Sequence, residues 1–361
     1  MVRSSVFKRL AVVSTMTLVA LTAAACGGDD SSTADGGDSG DSGDSSGTDI
    51  GVILPDATTS PRWEANDKPS LSAAFDAAGV SYDIQNAQGS VETFGTLCDQ
   101  MIGEGVKVLM IVNLDQESGK ACLDKATDAG VQSIDYDRLT PGGGAALYVS
   151  FDNVKVGELQ ADYLVKRKPT GNYILIGGAP TDHNAKLVRE GQLAALDDAV
   201  KRGDIRIVAD PWAVDWQADA AMTLTETALK KAGGQVVAVV ASNDTTAGGA
   251  IQALEKRGLA GKVLVSGQDA NLDAVRRIVA GTQTMTVYKP LRPLARGAAQ
   301  AAVQLAKGEK VEGTATVNNG MKEVQAFLLN PISIRRDLID QLIISDQFHT
   351  REQVYGTGGQ K

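Results

Sequence analysis

From Ile50 onward the chain alternates short apolar runs with stretches whose apolar residues recur at helical spacing. The runs are IGVIL (50–54), SYDIQNA (81–87), VKVLMIV (106–112), VQSIDYD (131–137) and LYVSFD (147–152). They continue with NYILIGG (172–178), IRIVAD (205–210), VVAVVAS (236–242), VLVSGQD (263–269) and TMTVYK (284–289). Between most of them lie helix-like stretches such as GTLCDQMIGEG, GELQADYLVKR and AVRRIVAG. Continuous apolar strands separated by helices predict parallel sheets covered on both faces. About ten strands are too many for one compact sheet, so the pattern predicts two doubly wound α/β domains of five or so strands each. Residues 351–361 carry no such pattern and read as a frayed tail.

In open α/β sheets, ligands bind beyond the carboxyl ends of the strands. The first run leads to PDATTSPRW, which sets Arg62 and Trp63 at the start of the next helix. The fourth ends in Asp137-Arg138 and the fifth in Asp152-Asn153, the latter read as part of a crossover. APTDHNAK follows the sixth and PWAVDW the seventh; the eighth ends in Asn243-Asp244, the ninth in Gln268-Asp269, the tenth in Tyr288-Lys289. Helix capping alone explains Ser, Thr, Asp or Asn at such places. It does not explain Arg138, Lys289, Trp63 or Trp216, so the set points to one shared polar cleft. Asn243 by itself fits a cap as well as a ligand contact. Asp137 and Arg138 read as an ion pair that also grips a ligand; Asp244 and Asp215 read as caps or supports, and Trp212 as lobe packing.

Composition narrows the ligand. The 361 residues carry a net charge of −9, which argues against nucleic acid, whose phosphates require concentrated Lys and Arg. PGGGAA (141–146) follows a strand but opens no helix, and no Walker loop or Gly-x-Gly-x-x-Gly follows the first strand. No cofactor is expected. The N-terminus reads as a targeting segment over residues 1–25: Arg3, Lys8 and Arg9, then an uncharged run from Leu10 to Ala25 ending in LTAAAC. Small residues before Cys26 resemble a lipoprotein signal with Cys26 as the lipidated first residue, although Ala23 stands where Leu is more usual. The other reading is secretory cleavage that leaves a free thiol. Residues 26–49, rich in Gly, Ser and Asp, read as a flexible tether. Cys98 and Cys122 remain; an oxidising compartment favours a disulfide over two buried thiols.

Carboxylates, amides and fixed cations around flat indole faces suit a pyranose, which presents C–H patches above and below a belt of hydroxyls. Catalysis is not expected. No Gly-x-Ser-x-Gly joins a strand run to a helix, the one such string (GDSSG, 43–47) lying in the Gly/Ser/Asp stretch; no His-Glu-x-x-His or CxxC occurs, and the two histidines, His183 and His349, fall in no such motif. Asp137 and Asp269 could form a glycosidase pair. Arg138 beside Asp137 and, as the family resemblance given below implies, Lys289 near both would keep the carboxylates ionised and leave no proton donor.

YVSFDNVKVGELQA, VVASNDTTAGGAIQAL, GLAGKVLVSGQDANL and AGTQTMTVYKP resemble the D-xylose-binding proteins of bacterial ABC importers, within the ribose/galactose-type family. The resemblance runs from about Ile50 to His349. It implies the type I periplasmic-binding-protein architecture, two Rossmann-like lobes joined by three crossovers. The boundaries expected are 50–153 plus 290–323 for one lobe and 154–289 plus 324–350 for the other. Carried over, the family's sugar contacts fall on Arg62, Trp63, Asp137, Arg138, Asn184, Trp216, Asn243, Asp269 and Lys289. His183 departs from the family, which more often has Asn there, and the cysteine pair is a second departure. The implied function is delivery of a monosaccharide to a membrane permease by a monomeric, lipid-anchored, extracytoplasmic receptor. A sensory lipoprotein feeding a chemoreceptor or kinase, or a receptor for ribose, glucose or galactose, would share the same pattern.

Overall fold

The computed structural model describes residues 47–357. The expected signal segment, the lipidation site Cys26 and nearly all of the tether lie outside the described residues. The body opens with β1 (Ile50–Leu54), α1 (Lys68–Ala78), β2 (Tyr82–Asn86), α2 (Val91–Gly103), β3 (Val108–Ile111), α3 (Gln116–Asp128), β4 (Gln132–Tyr136) and β5 (Leu147–Phe151). The chain then crosses into α4 (Asn153–Arg167), β6 (Gly171–Ile176), α5 (His183–Lys201), β7 (Ile205–Ala209), α6 (Ala218–Lys231), β8 (Ala238–Ala241), α7 (Asp244–Glu255), β9 (Leu264–Val265), α8 (Leu272–Ala280) and β10 (Thr286–Tyr288). It returns through α9 (Leu291–Ala306), β11 (Ala315–Asn318) and β12 (Glu323–Leu329), then crosses again into β13 (Ile332–Ile334) and α10 (Arg351–Tyr355).

The first lobe is a seven-stranded sheet in the order β11-β12-β5-β4-β3-β1-β2, parallel except for the β11–β12 hairpin. The second is β7-β6-β8-β9, extended through a Gln268–Val287 bridge to the antiparallel pair β10-β13. Both lobes thus repeat one doubly wound order, in which the chain reverses direction beside its first strand. Burial follows from this topology. β1, β3, β5 and β8 are buried along their whole length, as strands covered on both faces must be. One core on the first lobe joins β1, β3 and β4 to α1 and α9, and a second lies beneath α2 and α3. Within the latter, Cys98 and Cys122 form a disulfide between the two helices.

Two boundaries differ from expectation. β12 hydrogen-bonds in parallel to β5 from Gln325 to Leu329, so the third crossing follows Leu329 and not residue 323. The strand before it, EVQAFLL, is only partly buried, and it is held by pairing with β5 on one side and β11 on the other. The tail is also not frayed over residues 351–355. Thr350 and Gln353 form a reciprocal cap, and Val354 is buried in a core shared with Val275 and Ile278.

Helices α4 and α5 begin at the cleft and touch backbone to backbone. A Cβ on Gly157 would stand 1.9 Å from the Val188 carbonyl, and one on Gly191 equally close to that of Val154. Neither obstacle can rotate away. Gly157→Ala is therefore expected to lower stability by about 2–3 kcal/mol, measured by urea unfolding; an unchanged midpoint would show that the helices can separate freely.

Candidate functional site

Each cleft residue is placed by a strand end. After β1, Asp56 Oδ1 accepts from the Thr58 and Thr59 amides at 2.9 and 2.7 Å and folds the loop over. The loop delivers Arg62 to the start of a wide helical turn, Trp63–Asp67, in which Lys68 N–H reaches back to Trp63 O. Asp67 then grips the Arg62 guanidinium with both oxygens, at 2.8 Å to Nε and 2.8 Å to Nη2. The third guanidinium nitrogen, Nη1, donates to Asp137 Oδ2 at 2.8 Å. Arg62 is 2% exposed, so all of this charge is desolvated.

Asp137 and Asp269 occupy equivalent places in the two lobes. Each follows a strand with positive φ, 63° and 95°. Each amide donates at 2.8 Å to a valine carbonyl of the neighbouring strand, Val149 or Val287. That shared geometry turns both carboxylates into the cleft. Lys289, at the second crossover, sits between them, 3.0 Å from Asp269 Oδ1 and 3.8 Å from Asp137 Oδ2. Arg62 Nη1 is also 3.8 Å from Asp269 Oδ1.

The remaining walls join the lobes. Arg138 does not pair with Asp137 as expected. Its Nε contacts Asp182 Oδ2 at 2.9 Å, because Asp137 is already engaged by Arg62. Asp182 also caps α5 through the Asn184 amide at 2.8 Å and accepts from Trp216 Nε1 at 3.2 Å. Asn184 Nδ2 donates at 2.8 Å to the Asp137 carbonyl in the opposite lobe. Asn243 has two roles. Its Oδ1 accepts from the Thr246 amide at 2.9 Å and caps α7, while the residue also lines the cleft. Trp63 carries the Arg62 guanidinium over its ring at 4.2 Å. Trp212 packs away from the cleft with Arg189, 5.1 Å from its ring.

These side chains line one pocket, whose empty space of about 380 Å³ includes a part open to solvent. All nine expected ligand residues line it. So do Ser60, Asn153, Asp182 and Gln268, which were not among them. In sequence Asn153 reads as a crossover residue, and Asp182 is indistinguishable from any helix cap. Gln268, beside Asp269 at a strand exit, carried a visible signal. His183 is not in the wall. Among the described residues, two buried polar atoms of the wall have no hydrogen-bond partner: the donor Trp63 Nε1 and the acceptor Gln268 Oε1. Asp269 Oδ1, although close to Lys289, makes no aligned hydrogen bond either. Such atoms cost free energy unless something enters to satisfy them.

The electrostatics are those of a fixed binding surface. Burial pushes the Asp137 carboxyl up, but Arg62, Lys289 and Arg138 outweigh it and hold its pKa down to about 2. Asp67, buried deeper and beside Asp137, is raised by burial despite Arg62. Because Asp137 ionises more readily folded than unfolded, its stabilisation is complete above about pH 4 and lost as pH falls towards 2. The stability difference between the protein and Asp137→Asn, read by urea unfolding, is expected to shrink across that window. A difference constant with pH would show that the carboxylate charge contributes nothing.

Comparison with known proteins agrees with this architecture. The model of the periplasmic binding protein domain matches residues 50–310. The D-xylose-binding periplasmic protein of Haemophilus influenzae is 45% identical over 85% of this chain and 92% of its own length. Its counterpart named for Escherichia coli is 42% identical over 84% and 92%. A solved carbohydrate transporter solute-binding protein from Chloroflexus aurantiacus, in complex with D-glucose, superposes with a TM-score of 0.80 at 30% identity, covering 85% of this chain and 98% of that one. A two-lobed frame with a charged cavity between its strand ends, matched by family and by structure, places the chain in the periplasmic binding protein family.

Proposed function

We propose that this protein is an extracytoplasmic receptor that binds D-xylose and delivers it to an ABC importer. It acts as a monomer held to the membrane by a lipid on Cys26. It is a binding protein and not an enzyme. One observation carries the reading: a pocket between the strand ends whose wall offers an unused indole N–H and an unused amide oxygen beside three carboxylates, two guanidiniums and an ammonium. Hydroxyls both donate and accept, so one ring of them answers both kinds of orphan. Each hydrogen bond to a charged group contributes roughly 1.5–3 kcal/mol. A few of these, less the costs of immobilisation and closure, leave about 8 kcal/mol, a micromolar affinity.

The mechanism follows from which contacts cross the cleft. Arg138 to Asp182, Asn184 to Asp137, and Thr245 Oγ1 to the Thr59 carbonyl at 2.8 Å all join one lobe to the other. They form only when the lobes meet. Sugar docks on one lobe, the three crossovers flex, and closure completes the ring; the closed shape is what the permease recognises. The sugar favours the closed form by its differential affinity for it. Relatives named for D-xylose favour a pentopyranose, and a tight indole wall rejects the hydroxymethyl arm of glucose by clash.

Calorimetry of Asp269→Ala is expected to show an intact fold with D-xylose affinity reduced by about a hundredfold or more, because Lys289 loses its closest carboxylate. Unchanged affinity would remove Asp269 from the site. In a thermal-shift panel, D-xylose should stabilise more than D-ribose or D-glucose; a larger shift with either would overturn the choice of sugar.

A further inference from the structure

The turn that presents Asp269 is strained. Asp269 and Ala270 are consecutive non-glycine residues with φ of 95° and 52°, a conformation that L side chains avoid. Such a turn persists only when its surroundings hold it. From beneath, Asp244 Oδ2 accepts from the Asn271 amide at 2.9 Å, and Gly267 lacks a Cβ where Asp244 Oδ1 would otherwise collide with it. Thr286 Oγ1 accepts from the Ala270 amide at 3.3 Å. From above, a segment remote in sequence reaches in: His349 Nε2 lies 2.7 Å from the Ala270 carbonyl. A carbonyl can only accept, so the imidazole donates from Nε2.

His349 is itself braced. Its ring meets Phe348 edge-on at 4.8 Å, and Phe348 meets Tyr288 at 4.9 Å, next to Lys289. Phe348 packs against the cores of both lobes. In the first lobe the corresponding turn is braced one residue earlier, where Ser150 Oγ donates to the Asp137 carbonyl at 2.6 Å. At the position matching Ser150 the second lobe has Tyr288, whose hydroxyl goes to Asp346 of the returning chain, and the bond to the turn comes from His349.

We propose that His349 is a positioning residue for ligand binding: its Nε2–H bond to the Ala270 carbonyl locks the left-handed Asp269–Ala270 turn and so aims the Asp269 carboxylate into the cavity. This rests on the function proposed above for the cavity, although the clamp itself can be measured without a sugar. His349 does not line the proposed ligand pocket, and its bond is to the Ala270 backbone.

The test compares the full chain with His349→Ala and His349→Gln, since a glutamine amide can reproduce the Nε2 donor. Hydrogen exchange of the Ala270 and Asn271 amides in the sugar-free protein is expected to quicken by about tenfold in His349→Ala and to return towards the original rate in His349→Gln. D-xylose affinity by calorimetry should fall by about tenfold in the alanine variant and recover in the glutamine variant. General loosening of the lobe would not be rescued by glutamine. Exchange unchanged in His349→Ala, or equally fast in both variants, overturns the clamp; so does alanine-variant affinity within about twofold of the original. Failure of the unaltered chain to bind D-xylose would instead remove the proposed function, and the exchange rates would still decide the clamp.

Discussion

Arg62 is the charge on which the cleft depends. Its guanidinium is buried and touches carboxylates from three parts of the chain: Asp67 of its own turn, Asp137 of the first lobe and Asp269 of the second. A buried cation is tolerable only when its partners are close and aligned. Asp67 supplies the permanent pair and keeps Arg62 in place whether or not the lobes meet. Asp137 adds a second bond within the same lobe. Asp269 arrives only on closure, bringing Lys289 at 3.0 Å with it. Closure therefore concentrates two negative and two positive groups in a dry space. Pairing offsets much of the desolvation cost, and a hydrogen-bonding ligand supplies the rest. In the mechanism proposed above, this pairing couples closure to binding.

The two lobes solve the same placement problem with the same backbone device. A strand ends, the next residue turns left-handed, and its amide is tied to the adjacent strand. The device fixes the direction of a carboxylate more firmly than a side-chain rotamer could, because two hydrogen-bonded strands define it. What differs is the brace. Around Asp137 the carbonyl is held by Ser150 and by Asn184 from across the cleft, whereas around Ala270 the returning C-terminal segment does the work. This asymmetry explains why residues 345–355 are ordered and packed although they follow the last crossover.

The sequence revealed the strands that are buried on both faces, because continuous apolar runs leave no other explanation. It also revealed the strand exits, where Arg, Lys and Trp cannot be caps. It concealed β11, β12 and β13, whose residues are partly exposed and whose strand character comes from pairing with β5 and β10. The partner of Arg138 was concealed too. Adjacency in sequence suggested Asp137, but the positive φ at Asp137 turns its carboxylate towards Arg62 and leaves Arg138 facing Asp182 of the other lobe. Asn243 shows the limit of reading residue by residue. Its oxygen caps a helix and its position walls a cavity, so neither reading excluded the other.

Selectivity by shape needs a wall that cannot yield, and Trp216 has one constraint on each available freedom. Its backbone and that of Asp215 are left-handed, with φ of 59° and 50°, which sets where the ring starts. Its Nε1 is held by Asp182, which is itself held by the α5 amide and by Arg138. Its far edge fits against Gly178, where a Cβ would stand 2.2 Å from the ring. A side chain free to rotate would convert an oversized sugar into a modest repacking cost. Under the function proposed above, a ring held by backbone, hydrogen bond and glycine turns the same atoms into an overlap, which a displacement of α5, whose cap Asp182 holds the ring, would relieve. Because α5 is locked to α4 through Gly157 and Gly191, that displacement would have to move the helix pair together. The wall is thus backed by helix packing that begins at the pocket itself, where Val188 of the α4–α5 contact is one of the lining residues.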